Sequence, residues 1–198
     1  MRNQSPTKIE QACRRASEGQ LRMKTQFEQE VLSLRVDKDS FLKNDIDSPI
    51  PPNERANFKG LNYFPPDPGY RASKLERFDT PKPVMMVTST GTRQAYLRYG
   101  AFTFRIQGRS LKLVVYKSAE DPYARSLFIP FSDQTSGRET YAAGRYLDIE
   151  EQDGNDYELD FNMAYNPYCA YSEHYTCPIP PAENRLPVKI LAGEKNYK

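Results

Sequence analysis

The stretch FTFRIQGRSLKLVVY, residues 102–116, constrains this chain more than any other. Phe102, Phe104 and Ile106 alternate with Thr103, Arg105 and Gln107. After the polar QGRS, Leu111, Leu113 and Val115 alternate with Lys112, Val114 and Tyr116. A period of two sends successive side chains to opposite faces of a strand. Two such runs around a short glycine-containing turn predict a β-hairpin with one buried face.

The same rhythm recurs along the chain. Leu127, Ile129 and Phe131 alternate, and Leu147 and Ile149 lead into EQDGND, whose Asp-Gly is a strong turn signal. Tyr157, Leu159 and Phe161 return from it, and Val188 with Ile190 makes a last short strand. VMMVTS and QAYLRY also read as strands. The sum is about seven or eight short antiparallel strands without intervening helices, the pattern of an antiparallel β-barrel or sandwich. The fold class is therefore mainly β, with an N-terminal helix packed on the sheet. That helix is predicted from about Gln20. Phe27, Val31 and Leu34 form its apolar stripe, continued by Phe41, and it stops before DSPIPP. Residues 1 to about 18 are polar and basic, and are expected to be frayed or weakly helical. PPNERANF can start a short second helical turn. The organisation is thus residues 1–50 as tail and amphipathic helix, 51–82 as a proline-rich irregular connector, and 83–195 as the β domain.

The chain has 198 residues and a formal net charge of +2, too small to argue for nucleic acid. No apolar run approaches the roughly 20 residues that span a bilayer, and no membrane association is expected. The N-terminus lacks the apolar core of a signal peptide, so the expected location is the cytoplasm. There the thiols of Cys13, Cys169 and Cys177 would stay reduced.

Two polar clusters carry the candidate chemistry. The first is NPYCAYSEHYTCPIPPAENR, residues 166–185, with the only histidine and two of the three cysteines. Cys169, His174 and Cys177 are candidates for a metal site, Cys169 beside His174 for an activated thiol, and Cys169 with Cys177 for a disulfide. Plain packing of these residues competes with all three. Pro178, Pro180 and Pro181 should stiffen the end of this segment and fix Glu183 in place. The second cluster, SDQTSGRETYAAGRYLDI, holds Arg138, Glu139, Tyr141, Arg145 and Tyr146. Two arginines there can clamp an anion, or an Arg–Glu–Tyr network can tie a loop to the sheet. No P-loop, GxGxxG or HExxH motif is present, so the cofactor is unknown. Seven of the fourteen tyrosines lie between Tyr141 and Tyr175, which favours an amphipathic pocket or interface.

SPIPPNERANFKGLNYFPPDPGYR, TSTGTRQAYLRYGAFTF, FSDQTSGRETYAAGRYLDI and LDFNMAYNPYCAYSEHYTCPIPPAENRLPVKILAGEK together resemble the bacterial and archaeal family known as domain of unknown function 1684. The resemblance runs from about Val36 to Lys195. It implies that the loop with Cys169, His174 and Cys177, and the Arg138–Tyr146 stretch, belong to the family pattern. It brings no activity with it.

Two classes of function are consistent with these features. One is a β-barrel that binds a small polar or anionic ligand, with or without catalysis. Its expected lining is Arg138, Glu139, Tyr141, Arg145, Tyr146, Asn166, Tyr168, Cys169 and Glu183. The arginines would hold the anion, and Glu139, Cys169 or Glu183 would do any chemistry. The other is a protein-interaction module that offers its tyrosine- and proline-rich surface to a partner or a second copy.

Overall fold

In the computed structural model the backbone is described from Lys8 to Lys198, apart from Pro122, and side chains from Thr25 onward. The described chain is mainly β, with one long helix. The elements are α1 (Lys8–Asn44), α2 (Pro52–Arg55), β1 (Arg71–Ser73), β2 (Leu75–Val87), β3 (Arg93–Ile106), β4 (Arg109–Ser118), β5 (Ser126–Phe131), β6 (Arg145–Glu150) and β7 (Glu158–Asp160). Short 3₁₀ turns lie beyond β7 at Phe161–Met163, Tyr168–Ala170 and Ala182–Asn184. Helix α1 reaches back to Lys8, well before Gln20, while the expectation for residues 1–7 lies outside the described residues, as does the side chain of Cys13.

The hairpin signal holds at the level of single residues. Ile106 pairs with Arg109, Phe104 with Leu111 and Phe102 with Leu113. Gln107 and Gly108 turn the chain with φ of 51° and 75°, as a two-residue loop with two left-handed positions requires. QAYLRY and AFTFRI are one strand rather than two, bulged between Arg98 and Gly100. The bulge shifts the side-chain alternation by one, so Tyr96 shares a face with Ala101. Strand β2 starts at Leu75, inside the stretch expected to be an irregular connector.

The antiparallel sheet runs β2-β3-β4-β5-β6, and a second sheet pairs β1 with β7. The larger sheet is open, because β2 and β6 end it without pairing. The expected closure into a barrel is not formed. The Asp-Gly turn does not return β7 along β6; β7 leaves to pair with β1 instead. Val188 and Ile190 are buried as expected but lie in irregular chain, not in a strand.

Both faces of the large sheet are used. Phe102, Phe104, Leu113, Leu127, Ile129, Phe131 and Leu147 face the main core, with Leu159, Phe161, Leu186 and Ile190 against them. The opposite face carries a smaller cluster, Met86, Ala101, Val114 and Tyr116, flanked by Tyr96 and Phe128. Helix α1 docks through Val31, Arg35 and Leu42, whereas Leu34, expected on the buried stripe, is half exposed. Arg35 donates to the Phe64 carbonyl at 2.9 Å and lies over the Tyr63 ring, while the Asp39 carboxylate accepts from the Leu61 amide at 3.1 Å. The helix contact is part polar, which is why a purely apolar stripe misplaces it by one residue.

Arg145 organises the C-terminal segment. Its guanidinium is fully buried and pairs with Asp133 at 2.9 Å. It also donates to the carbonyls of Ile190, Ala192 and Glu194. Asp133 accepts in turn from the amides of Thr135 and Ile190. Removing one partner of such a pair strands a buried charge. Arg145→Met should cost about 3–5 kcal/mol in a urea denaturation curve. Adding Asp133→Leu should recover only part of it, because three carbonyls stay without donors.

Candidate functional site

Strands β5 and β6 present Phe128, Tyr146 and Asp148 on the face away from the main core, as strict alternation with Leu127, Ile129 and Leu147 requires. The bulge in β3 adds Tyr96 beside them, its ring stacked on Phe128 at 5.6 Å. The C-terminal half of α1 supplies Lys38, Phe41 and Leu42 from one side. The loop from Tyr165 to Pro178 supplies Tyr165, Tyr168, Tyr171, Tyr175 and Cys177 from the other. Together they line an open cleft of about 510 Å³.

Hydrogen bonds and ring contacts hold the cleft floor together. Tyr146 donates to the Pro178 carbonyl at 2.5 Å, and its backbone exchanges hydrogen bonds with Tyr165. Its ring meets Phe128 and Tyr165 edge-on at 4.7 and 5.8 Å. Burial pushes the phenols of Tyr146, Tyr165 and Tyr171 far above the ordinary range, so all three stay protonated donors. Tyr165 gives its hydrogen to Asp148. Asp148 is reached by solvent through the cleft mouth but crowded by protein, and desolvation raises its pKa against the opposing pull of Tyr165 and Lys38. The Lys38 ammonium lies over the Tyr165 ring at 4.6 Å and is committed to the buried carboxylate of Glu194 at 2.5 Å. Glu194 also accepts from the Asn166 amide and the Tyr171 hydroxyl.

The two loop cysteines are neighbours, with Cys177 in the wall of this cleft and Cys169 beside it outside the lining. The Cys169 amide donates to Cys177 Sγ at 3.3 Å, and the Tyr141 hydroxyl reaches Cys169 Sγ at 3.7 Å. The Cys177 amide donates to Ser89 Oγ, whose own hydrogen is then available to Cys169. Donation from the Cys177 thiol, and from Tyr141 and Ser89, outweighs desolvation and lowers the Cys169 pKa to about 6. The same hydrogen bond and burial raise that of Cys177.

Of the residues expected to line a site, Tyr146 and Tyr168 do so, and Cys169 and Tyr141 stand directly behind Cys177. The others serve elsewhere. Arg145 is sealed in its carbonyl network against Asp133. Arg138 is exposed, and its carbonyl accepts from Asn196. Glu139 pairs with Lys189 at 3.3 Å, and Glu183 with Arg98 at 2.8 Å and Tyr116 at 2.6 Å. Asn166 is buried and ties the Lys195 carbonyl. His174 is exposed, and the described residues contain no group of three histidine, cysteine or acidic side chains placed to hold a metal. Sequence reasoning missed Lys38, Tyr96, Phe128 and Tyr165 as lining residues. The signal for Tyr146 with Asp148 was the polar half of the alternation, and for Lys38 its place seven residues after Val31.

A family model described as protein of unknown function (DUF1684) matches residues 56–195. The chain belongs to this family. A solved relative, an uncharacterized protein of Haloarcula marismortui known from a solution NMR structure, is 38% identical. That match covers 88% of this chain and 96% of the other, with a TM-score of 0.66. No curated protein matches the chain. The DUF1684 match spans the cleft strands and the cysteine loop, and α1 lies outside it.

Replacing Tyr141 by Phe removes a donor to the Cys169 sulfur. Iodoacetamide labelling of the Cys169 peptide, followed across pH by mass spectrometry, should show a midpoint well below the unperturbed value of about 8.5 in the native chain. In Tyr141→Phe that midpoint should move upward.

Proposed function

We propose that this DUF1684 protein binds a small molecule in the cleft between α1 and the sheet, and that the ligand has a flat apolar body and a positively charged or hydrogen-bond-donating head. The observation that carries this reading is the carboxylate of Asp148 at the floor of a tyrosine-lined cleft. Aromatic faces carry negative potential and attract cations. Lys38 is shared between Glu194, at 2.5 Å, and the more distant Asp148, so the two carboxylates outnumber the one ammonium and the site keeps a net negative charge. An anion would meet it head-on, and the arginines expected to clamp one are elsewhere. The cleft volume of about 510 Å³ suits a small ligand, since small-molecule sites run roughly 300–1,000 Å³. The tyrosines line a concavity and not a flat patch, which favours a ligand over a protein partner.

A matched pair of probes tests this. Phenethylamine should raise the melting temperature and phenylacetate should not. At 100 times its dissociation constant the amine adds about 2.7 kcal/mol. Asp148→Asn should abolish the difference. Protonation removes the charge of Asp148, so amine affinity should fall as pH is lowered through its raised pKa, above the unperturbed carboxylate value of about 3.9. Equal stabilisation by both probes, or a response that survives Asp148→Asn, would overturn the reading.

A further inference from the structure

Cys169 and Cys177 do more than close a wall. The Cys177 sulfur lies 3.3 Å from the Cys169 amide and its thiol is hydrogen-bonded to the Cys169 sulfur, so the two sulfurs are neighbours. Both are free. They differ in setting. Cys169 is half-buried and faces three donors: the Cys177 thiol, the Tyr141 hydroxyl from the loop before β6, and the Ser89 hydroxyl from the β2–β3 turn. Cys177 is buried at the cleft wall, and its backbone is pinned on both sides, with its carbonyl accepting from Ser89 at 2.8 Å and its amide donating to Ser89 Oγ at 3.1 Å. The next residue bridges Thr88 of the adjoining turn. No charged side chain is needed to hold the thiolate, because neutral hydrogen-bond donors surround it.

From this juxtaposition we propose that Cys169 and Cys177 form a thiol–disulfide exchange site for small-molecule disulfides, with Cys169 as the attacking sulfur and Cys177 as the resolving one. The site is independent of the ligand reading for Asp148. In the first step the Cys169 thiolate attacks one sulfur of the substrate RSSR. An S–S bond forms between Cys169 and that sulfur, the substrate S–S bond breaks, and RS⁻ leaves. In the second step Cys177 attacks the Cys169 sulfur and displaces the second RS⁻, which takes the Cys177 proton. The net change turns thiolate, thiol and RSSR into a protein disulfide, RS⁻ and RSH. The protein pair is oxidised and the substrate is reduced. The lowered pKa of Cys169 supplies thiolate at neutral pH, and the protonated Cys177 waits for the second step.

The asymmetry gives each cysteine a distinct product. The full-length Cys13→Ser chain, which retains both loop cysteines, is treated with glutathione disulfide at pH 7, quenched with acid and digested. The expected product joins the Cys169 and Cys177 peptides by a disulfide, two hydrogens lighter than the dithiol and without bound glutathione. Cys177→Ser in the same background should stop at a stable glutathione adduct on Cys169. Cys169→Ser should leave Cys177 unmodified. The native-sequence loop decides the matter even if a serine variant does not fold: retained glutathione on that protein, or two free thiols after treatment, would overturn the proposal. A Cys177→Ser chain that folds, judged by its circular dichroism, yet accumulates no adduct would overturn the assignment of Cys169 as the attacking sulfur.

Discussion

The buried guanidinium of Arg145 is the interaction on which the rest of the structure hangs. The chain after Asn184 forms no strand of its own and pairs only through isolated bridges at Arg185 and Glu194, so the carbonyls of Ile190, Ala192 and Glu194 take their donor from a side chain. Arginine offers five N–H groups in a fixed fork and cannot lose its charge. It meets carbonyls at Ile190, Ala192 and Glu194, with Asp133 balancing the charge. Burial lowers the Arg145 pKa and the facing Asp133 opposes that shift. Fixing Glu194 has consequences outward. Its carboxylate gathers Lys38 of α1, the Asn166 amide and the Tyr171 hydroxyl at one point. The helix and the tyrosine loop are thereby set against the sheet at a fixed spacing, and the cleft is the gap they leave.

How far this was legible depends on which force decided each element. The hairpin of β3 and β4 was readable to the residue, because alternation and a glycine turn act locally. Barrel closure was not readable. It turns on whether β7 returns to β6 or leaves for β1, and its Tyr157, Leu159 and Phe161 fit a buried face either way. Tyr99 gave no warning of its bulge, and the bulge is what moves Tyr96 onto the cleft face. Asn184 is similar. Its side chain plugs the splay between β4 and β5, accepting from the Val114 amide and donating to the Val114 and Pro130 carbonyls, each at 2.8 Å.

The site was half legible for a related reason. The tyrosine crowding and the closeness of Cys169 to Cys177 were in the sequence, and both reappear at the cleft. The charged residues expected beside them lie outside the cleft lining, since arginine serves equally as a ligand clamp or as a buried carbonyl tie. The type of a side chain does not give its side of the sheet, which its parity along the strand does. Arg145 lies on the parity of Leu147, the core parity of β6, while Asp148 lies on that of Tyr146. Parity counted strictly from Leu147 sends Arg145 inward and Asp148 to the cleft.

Tyrosine suits this cleft better than phenylalanine would, and the reason joins its floor to its wall. A phenylalanine at 146 would keep the edge contacts with Phe128 and Tyr165 but lose the bond to the Pro178 carbonyl. That bond ties β6 to the residue following Cys177, and Thr88 bridges the same residue from the other side. Gly144, two residues before Tyr146, permits the approach: a Cβ there would stand 2.4 Å from the Phe131 carbonyl and 2.8 Å from the Pro180 ring, at φ of +102°. The backbone carrying Cys177 is thus clamped between β2 and β6, and its sulfur meets Cys169 without a search. Because the same phenol fixes the cleft floor, neither a ligand nor the thiol pair must spend much conformational entropy when it engages.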